Sequence, residues 1–326
     1  MADLSVTLGR MRLASPLLTA SGTSGHGGEM AVLKDSEEIL SCLGAFVTKG
    51  VTQAPRAGNP GVRVAECACG MLNSIGLQNK GAEAFAATEL PGLLAFGLPV
   101  VVNISAATVE EFKTLAGFLL EADRARIISA LEINVSCPNL RQGGAAFGAD
   151  PEAVGAVVRA VRSAVGPDMT LITKLSPNVT DITAPAAAAV EAGTDVLSMI
   201  NTLRGMAVDV ETGRPVLGNR IGGLSGPAIR PVGVYMVWAC FSGLEACRTG
   251  RVPIIGIGGI SSWSDAMEYV LAGASAVGIG TAWFLRPTVF ADIHQGITDY
   301  VNRRGVPFRD LVGLAHRDAG ASFPSC

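Results

Sequence analysis

The chain has 326 residues, of which 49% are hydrophobic, 16% are charged and 40 are glycine, and this balance excludes a disordered chain, a coiled coil and a small disulfide scaffold. The formal net charge is −3 and no basic run is longer than Arg303-Arg304, so we expect no nucleic-acid surface. The seven cysteines form no CxxC pair, which argues against a disulfide framework and against a zinc or iron–sulfur site.

The N-terminal segment is polar and lacks the apolar core of a secretion signal, so we expect a cytoplasmic protein. The uncharged segment from Tyr269 to Leu285 is slightly too short for a membrane span and is interrupted by small residues. It fits a helix end, a turn and a buried strand better, and no membrane association is expected.

Eight short apolar runs, bounded by Gly, Asn, Ser or Pro, recur along the chain, and most precede a segment with helical spacing. They are residues 16–20, 45–49, 99–104, 131–135, 171–175, 196–200, 253–257 and 276–280. Near-continuous apolar strands that alternate with helices are typical of a parallel sheet, and eight of them favour an α/β (β/α)8 TIM barrel over a doubly wound open sheet. The pattern predicts a single domain over residues 1–326, although the length alone allows two domains at roughly 150 residues each.

Helix start signals lie between several of these runs. Thr108 with Glu111, the Asp-Pro pair at residue 150 and a Ser/Asp cap region predict helices over residues 108–122, 150–165 and 264–271. Two longer insertions, around residues 54–80 and 203–226, interrupt the alternation of predicted strands and helices. In a barrel such insertions usually lie over the mouth, at the carboxyl ends of the strands, where chemistry occurs.

Every predicted strand ends in a polar residue or a glycine. These ends are Ser21-Gly22, Lys49-Gly50, Asn103, Asn134 with Ser136-Cys137, Lys174 with Ser176, Asn201-Thr202, Gly258-Gly259 and Gly280-Thr281. Any single Asn or Ser at a strand end is explained by a structural role. Burying two lysine ammonium groups at one barrel mouth, however, costs free energy unless an anion accompanies them. We therefore expect an anionic ligand, with a phosphate at the last two glycine-containing ends, although Gly-Gly alone also fits a tight turn.

Two further segments carry candidate chemistry. Cys137 directly follows a strand and precedes Pro138, and it is a candidate nucleophile or general base; the base is favoured because no histidine lies at a strand end beside a matching Asp. The segment 70–79, Gly-Met-Leu-Asn-Ser-Ile-Gly-Leu-Gln-Asn, either pins an insertion through its asparagines or presents donors and acceptors to an amide-rich planar anion.

Together these motifs resemble the class 1 dihydroorotate dehydrogenases, most closely the catalytic subunit of the NAD-linked class 1B form. The resemblance is carried in order by Ala20-Ser-Gly-Thr, Thr48-Lys-Gly-Val-Thr, the segment 70–79, Asn134-Val-Ser-Cys-Pro-Asn, Lys174-Leu-Ser-Pro-Asn-Val-Thr-Asp, Met199-Ile-Asn-Thr, Gly222-Gly-Leu-Ser-Gly-Pro-Ala and Gly256-Ile-Gly-Gly-Ile.

The resemblance implies an FMN-binding barrel that oxidises (S)-dihydroorotate to orotate in de novo pyrimidine (UMP) biosynthesis. Cys137 would be the base that removes the C5 proton while a hydride leaves C6 for the flavin, and no metal is implied. The implied substrate-binding residues are Lys49, Asn73, Ser74, Ile75, Gly76, Leu77, Asn134, Asn139, Asn201 and Thr202. The implied FMN-binding residues are Ser21, Lys49, Gly50, Asn103, Asn134, Lys174, Ile200, Gly226, Gly258, Gly259, Gly280 and Thr281.

The resemblance also implies a partner. Electrons would leave through a separate subunit that carries FAD and a [2Fe–2S] cluster, because this chain has no cysteine spacing for that cluster, and the chain would be a homodimer within a heterotetramer. Cys67, Cys69 and His26 depart from the family pattern and are interpreted as neutral drift, with His26 also a candidate for altering solvent access or the partner contact. The tail from about Asp318 to Cys326 has no counterpart and is a candidate for disorder.

Three alternative functions stay open on the sequence. The first is oxidation or reduction of another dihydropyrimidine, and the second is a Schiff-base aldolase with Lys174 as nucleophile on a phosphate-binding barrel. The third is a non-catalytic scaffold for the partner subunit, which the intact Cys137, the two lysines and the asparagines argue against.

Overall fold

Eight parallel strands form the central sheet of the computed structural model, which describes residues 2–33, 35–136 and 147–317. We number these barrel strands β1 to β8 in chain order: Leu17–Thr19, Phe46–Val47, Val100–Ile104, Ile128–Asn134, Thr170–Lys174, Val196–Met199, Ile254–Ile257 and Ala276–Ile279. Each strand overlaps one of the eight predicted runs.

The sheet closes on itself. Its strand order is β1-β8-β7-β6-β5-β4-β3-β2, and a parallel bridge between Leu18 and Ala45 joins the two outer members. The predicted (β/α)8 barrel is therefore confirmed, and the doubly wound open sheet is excluded.

Alternation along the strands separates two cores. One set of residues points into the barrel and fills the part away from the carboxyl ends of the strands. It includes Val101 of β3, Ala130 of β4 and Ile172 of β5. The other set, including Val102 and Leu131, packs outward against the helices in a larger cluster. Because the interior away from the carboxyl ends is filled with apolar side chains, it can be open only towards the carboxyl ends of the strands.

Helices surround the sheet, and their starts follow the capping signals. The longer helices are Val109–Ala122, Pro151–Val165, Thr183–Glu191, Arg230–Gly243, Trp263–Ala272 and Val289–Arg304. Shorter helical segments are Gly28–Ala31, Ser36–Cys42, Ala82–Ala84, Phe85–Glu89, Leu90–Phe96, Phe147–Ala149, Pro227–Ile229, Glu245–Arg248, Ala282–Leu285, Phe308–Leu311 and Leu314–His316. The Thr108 hydroxyl accepts from the Glu111 N–H at 3.1 Å and Asp150 accepts from the Glu152 N–H at 3.0 Å, as the cap signals predict.

Both predicted insertions are present, and they share one antiparallel sheet. Val64–Cys67 and Gly70–Asn73 come from the first insertion, and Leu203–Gly205 and Gly222–Ser225 from the second. The two insertions meet where Gly70–Asn73 pairs with Gly222–Ser225.

Two small hairpins complete the strands. They are Val6–Leu8 with Met11–Leu13 and Val208–Asp209 with Arg214–Pro215. Across the part of the chain that the structure describes, no helix is both long enough and apolar enough to cross a membrane.

Candidate active site

A cavity of about 1080 Å³ opens at the carboxyl ends of the barrel strands. All the predicted site residues that the structure describes line it: Ser21, Lys49, Gly50, Asn73, Ser74, Ile75, Gly76, Leu77, Asn103, Asn134, Lys174, Ile200, Asn201, Thr202, Gly226, Gly258, Gly259, Gly280 and Thr281. The two others, Cys137 and Asn139, lie outside the described residues. The structure thus brings the candidates together, while the role of each one stays a prediction.

Lys49 follows β2 and reaches the cavity from one side. Its backbone N–H donates to the Gly25 carbonyl at 2.8 Å, which ties it to the loop after β1. Within the described residues its ammonium group makes neither a hydrogen bond nor an ion pair, so it is available to an anionic ligand.

Lys174, the last residue of β5, differs from the expectation of two uncompensated lysines. It is 5% exposed, and its Nζ lies 3.9 Å from Oε2 of Glu132, a buried carboxylate on β4. Part of its charge is therefore balanced inside the barrel.

Amide side chains crowd the cavity wall beyond β4 and β6. Nδ2 of Asn201 donates to Oδ1 of Asn134 at 3.2 Å, and Oδ1 of Asn201 accepts from the Thr202 N–H at 2.8 Å. Asn178, from the quoted motif after β5, donates to the Thr202 carbonyl at 3.1 Å and accepts from the Arg204 N–H at 2.8 Å. These bonds fix the orientation of each amide before any ligand enters.

The segment 70–79 is held in place at its end and lines the cavity over most of its length, while its binding of a planar anion stays a prediction. Asn79 is the pin: its side chain accepts from the N–H groups of Thr52 and Gly81 and donates to Thr52 Oγ1 and the Leu77 carbonyl. Asn73 lines the cavity and donates to the Gly223 carbonyl of the other insertion at 3.2 Å.

Arg63 supports the same segment from outside the cavity. Its guanidinium donates to the Asn59 carbonyl at 2.5 Å, to Gln78 Oε1 at 2.9 Å and to the Ala57 carbonyl at 3.1 Å. The Arg63 carbonyl also accepts from the Ser74 N–H at 2.7 Å, so Arg63 contacts both Ser74 and Gln78, at the two ends of the predicted substrate segment.

Glycines at the ends of β7 and β8 form the opposite wall. Gly259 has a φ of +70°, and a Cβ there would lie 2.8 Å from both Arg230 Cβ and the Gly226 carbonyl oxygen, so no larger residue fits. Tyr269, fully buried behind this wall, donates its hydroxyl to the Gly258 carbonyl at 2.7 Å. Close backbone approach of this kind suits a phosphate.

His26 lies in the loop after β1, beside a carboxylate, and is not among the residues that line the cavity. Its Nε2 lies 3.5 Å from Glu89 Oε2, and its ring packs on Phe85 with centroids 5.0 Å apart. Burial lowers the pKa of His26, with Glu89 opposing and Lys49 adding to this effect. The neutral ring is therefore the form that the folded chain favours near neutral pH.

The other thiols that the structure describes fit an inert interpretation where they are buried. Burial raises the pKa of Cys247 to about 12 and also raises that of Cys240. Among the described residues there is no group of three or more His, Cys, Asp or Glu side chains arranged to hold a metal.

Two residues that contact the cavity lining were missed by the sequence reasoning. Glu132 had a visible signal, since it is the one charged residue of its buried strand, Ile128–Asn134. Arg63 had none, because an arginine in a polar insertion is unremarkable until its three acceptors are seen.

Comparison with known proteins places this geometry in a family. The sequence model described as dihydroorotate dehydrogenase matches residues 3–301. A protein of Pelobacter propionicus named dihydroorotate dehydrogenase B (NAD(+)), catalytic subunit, is 49% identical over 312 residues, which cover 95% of this chain and 98% of that protein. A protein of the same name from Bacteroides thetaiotaomicron is 45% identical, covering 96% of this chain and 99% of its own length.

A solved structure supports the fold independently. The crystal structure of DHODH in complex with ferulenol from Eimeria tenella superposes with a TM-score of 0.78, covering 97% of this chain and 89% of that one. Its sequence identity of 22% limits the comparison to the fold.

Proposed function

Because the chain belongs to the dihydroorotate dehydrogenase family, we propose that it oxidises (S)-dihydroorotate to orotate in de novo pyrimidine biosynthesis, using bound FMN. The observation that supports the proposal is the cavity over the barrel, which is lined by the predicted substrate and flavin residues that the structure describes. Its volume of about 1080 Å³ is at the upper end of ordinary ligand pockets, roughly 300–1,000 Å³, and has room for a flavin together with a small substrate.

The residues present fit FMN. Oδ1 of Asn103 and Oγ of Ser136 are buried polar atoms that have no hydrogen-bond partner within the described residues, and both residues line the cavity. Buried polar groups are normally satisfied, and the polar ring edge and ribityl hydroxyls of FMN would satisfy them. Asn103, Lys174 and Asn134 would meet the ring system, and the backbone at Gly258, Gly259 and Gly280 would receive the phosphate.

The same cavity fits an anionic, amide-rich substrate. Lys49 supplies an unpaired cation for a carboxylate, and Asn73, Asn134 and Asn201 supply donors and acceptors for the ring amides. Backbone N–H groups of residues 75–77 add further donors, whereas the Ser74 N–H already donates to the Arg63 carbonyl. A carboxylate contact favours dihydroorotate over a dihydropyrimidine that lacks the carboxylate.

The chemistry needs one group that the protein cannot provide and one that it can. FMN supplies, when bound, a two-electron acceptor for the hydride that leaves C6 of the substrate. Cys137 is proposed as the general base that takes the proton from C5, and the thiol requires a neighbouring environment that favours the thiolate.

A partner subunit follows from the relatives' names. Proteins of this family that are named catalytic subunits and NAD(+)-linked require a route from the flavin to NAD, and we propose a subunit that carries FAD and a [2Fe–2S] cluster. We further propose a homodimer of this chain within a heterotetramer, acting in the cytoplasm.

The decisive experiment is an anaerobic visible spectrum of the purified chain before and after addition of dihydroorotate. A flavin spectrum that bleaches with dihydroorotate, and does not bleach with dihydrouracil, is expected. Bleaching by dihydrouracil alone would refute the substrate assignment. A colourless chain that cannot be reconstituted with FMN would refute the proposed function as a whole.

A further inference from the structure

The barrel interior holds one carboxylate that the proposed chemistry does not use. Glu132 lies near the end of β4 and is 2% exposed. It points inward, because it lies two residues from both Ala130 of the apolar interior cluster and Asn134 of the cavity wall and so shares their face of the strand. Burying a carboxyl group in such surroundings costs folding free energy unless its charge is fully paired or the group is neutral.

Three neighbouring strands supply its partners. Oε2 of Glu132 accepts from Nδ2 of Asn103 at 2.5 Å, and Oε1 accepts from the Ser198 hydroxyl at 2.8 Å. Lys174 Nζ lies 3.9 Å from Oε2. Two hydrogen bonds and one ion pair thus reach the two carboxylate oxygens, so the buried carboxylate is compensated on both of them.

Two of these partners line the cavity, whereas Glu132 and Ser198 lie behind it. Since Glu132 takes the amide nitrogen of Asn103, the amide oxygen is left without a partner in the described residues and faces the Gly50 side of the cavity. Glu132 therefore determines what Asn103 presents there, and it balances the charge that Lys174 brings.

We propose that Glu132 is a positioning residue that sets the electrostatics of the flavin site. It holds Asn103 and Lys174 against the cavity and makes that wall close to neutral instead of cationic. This inference rests on the proposed function, because it takes FMN as the occupant. Charge near the flavin ring tunes its electron affinity, so the carboxylate disfavours the electron-rich reduced flavin and promotes onward transfer of electrons.

Glu132→Gln removes the charge and keeps the shape. We expect reduced FMN to gain affinity relative to oxidised FMN by about tenfold, which equals a rise of about 30 mV in a two-electron midpoint potential. The probes are oxidised FMN, dithionite-reduced FMN and a redox dye in equilibrium with the loaded chain. None of these readouts depends on turnover.

Three variants separate charge from structure. Glu132→Asp keeps the charge and is expected to return most of the wild-type potential. Ser198→Ala removes one hydrogen bond from the carboxylate without removing charge, and is expected to change the ratio of the two affinities less than threefold. If Glu132→Gln does not fold, the single variant Lys174→Gln is compared with the double variant Glu132→Gln/Lys174→Gln. The affinity for reduced FMN relative to oxidised FMN should be about tenfold higher in the double variant.

The outcomes are distinct. A Glu132→Gln chain that binds both flavin forms more weakly by the same factor, with the wild-type potential, would overturn the proposal and leave Glu132 a purely structural residue. A shift of the FMN midpoint potential in Ser198→Ala as large as the shift in Glu132→Gln would also overturn the proposal. Since dithionite replaces the substrate, a wrong substrate assignment leaves these results readable, whereas a wild-type chain that binds no FMN would refute the proposed function and this inference together.

Discussion

Tyr269→Phe tests the support behind the glycine wall. The substitution removes one oxygen atom and keeps the ring, which packs on Gly256 so closely that a Cβ there would lie 2.4 Å from the ring. The hydroxyl donates to the Gly258 carbonyl at 2.7 Å, and burial raises the pKa of Tyr269, so the phenol is a donor throughout the usual pH range. No cavity forms, and the loss is confined to this hydrogen bond.

The magnitude follows from which acceptor is left without a partner. The Ile257 carbonyl, 3.3 Å from the hydroxyl, keeps its bond from the Ile200 N–H, whereas the Gly258 carbonyl loses the donor that the structure shows. An unsatisfied buried acceptor costs about 1–3 kcal/mol, and we expect about 1–2 kcal/mol because Gly258 is half-buried. FMN affinity should fall by no more than about thirtyfold, since 1.4 kcal/mol corresponds to tenfold and 2 kcal/mol to about thirtyfold.

Urea unfolding of the chain, monitored with and without FMN, measures the effect. The midpoint should fall while the slope with denaturant stays constant. Tyr235→Phe removes the same atom from a ring that is 64% exposed and is the matched control, with no expected change. If Tyr269→Phe matched wild type in both unfolding and FMN affinity, the glycine wall would not depend on this hydroxyl.

Three further predictions concern the base, the loop and pH. Cys137→Ala should keep FMN but lose about 10²- to 10⁴-fold in turnover, and Cys137→Ser should be partly active with its pH dependence moved upward; near-full turnover of the alanine variant in stopped-flow assays would refute the base assignment. Arg63→Met removes three hydrogen bonds around the substrate segment and should raise KM about tenfold with FMN affinity unchanged, so an unaltered KM would contradict its supporting role. Burial lowers the pKa of both His26 and His294 below 6.5, so as the pH falls the unfolded chain takes up protons before the folded chain does. The free energy of unfolding therefore has its full value above pH 6.5 and decreases as the pH drops below it. The double variant His26→Gln/His294→Gln should reduce this pH dependence in denaturant titrations, and an unchanged pH dependence would refute the assignment.

The barrel was predictable because buried parallel strands are nearly continuous apolar runs, and each run leaves a local mark on the sequence. The helix caps at Thr108 and Asp150 are local for the same reason. The helix predicted over residues 264–271 begins at Trp263, since Ser262 forms the capping box with Asp265. The assignment of the whole chain to one domain stays a prediction.

The candidate site was predictable as a set of strand ends, but the hydrogen bonds and ion pairs between its residues were not. Nothing local connects Glu132 with Ser198 or Lys174, since these bonds depend on strand order and register within the closed barrel. The role of Cys137 stays a prediction, because residues 137–146 lie outside the part of the chain that the structure describes.

The sheet shared by the two insertions has a consequence for engineering. Asn73 pairs with Gly223 and Met71 with Ser225, so along one edge the strand that leads into the predicted substrate segment takes its backbone partners from roughly 150 residues later. Its other edge pairs with Val64–Cys67 of its own insertion. Transplanting one insertion from a relative would therefore mismatch half of a hydrogen-bonded ladder. A change of substrate preference in this scaffold calls for both insertions to be exchanged as a single cassette.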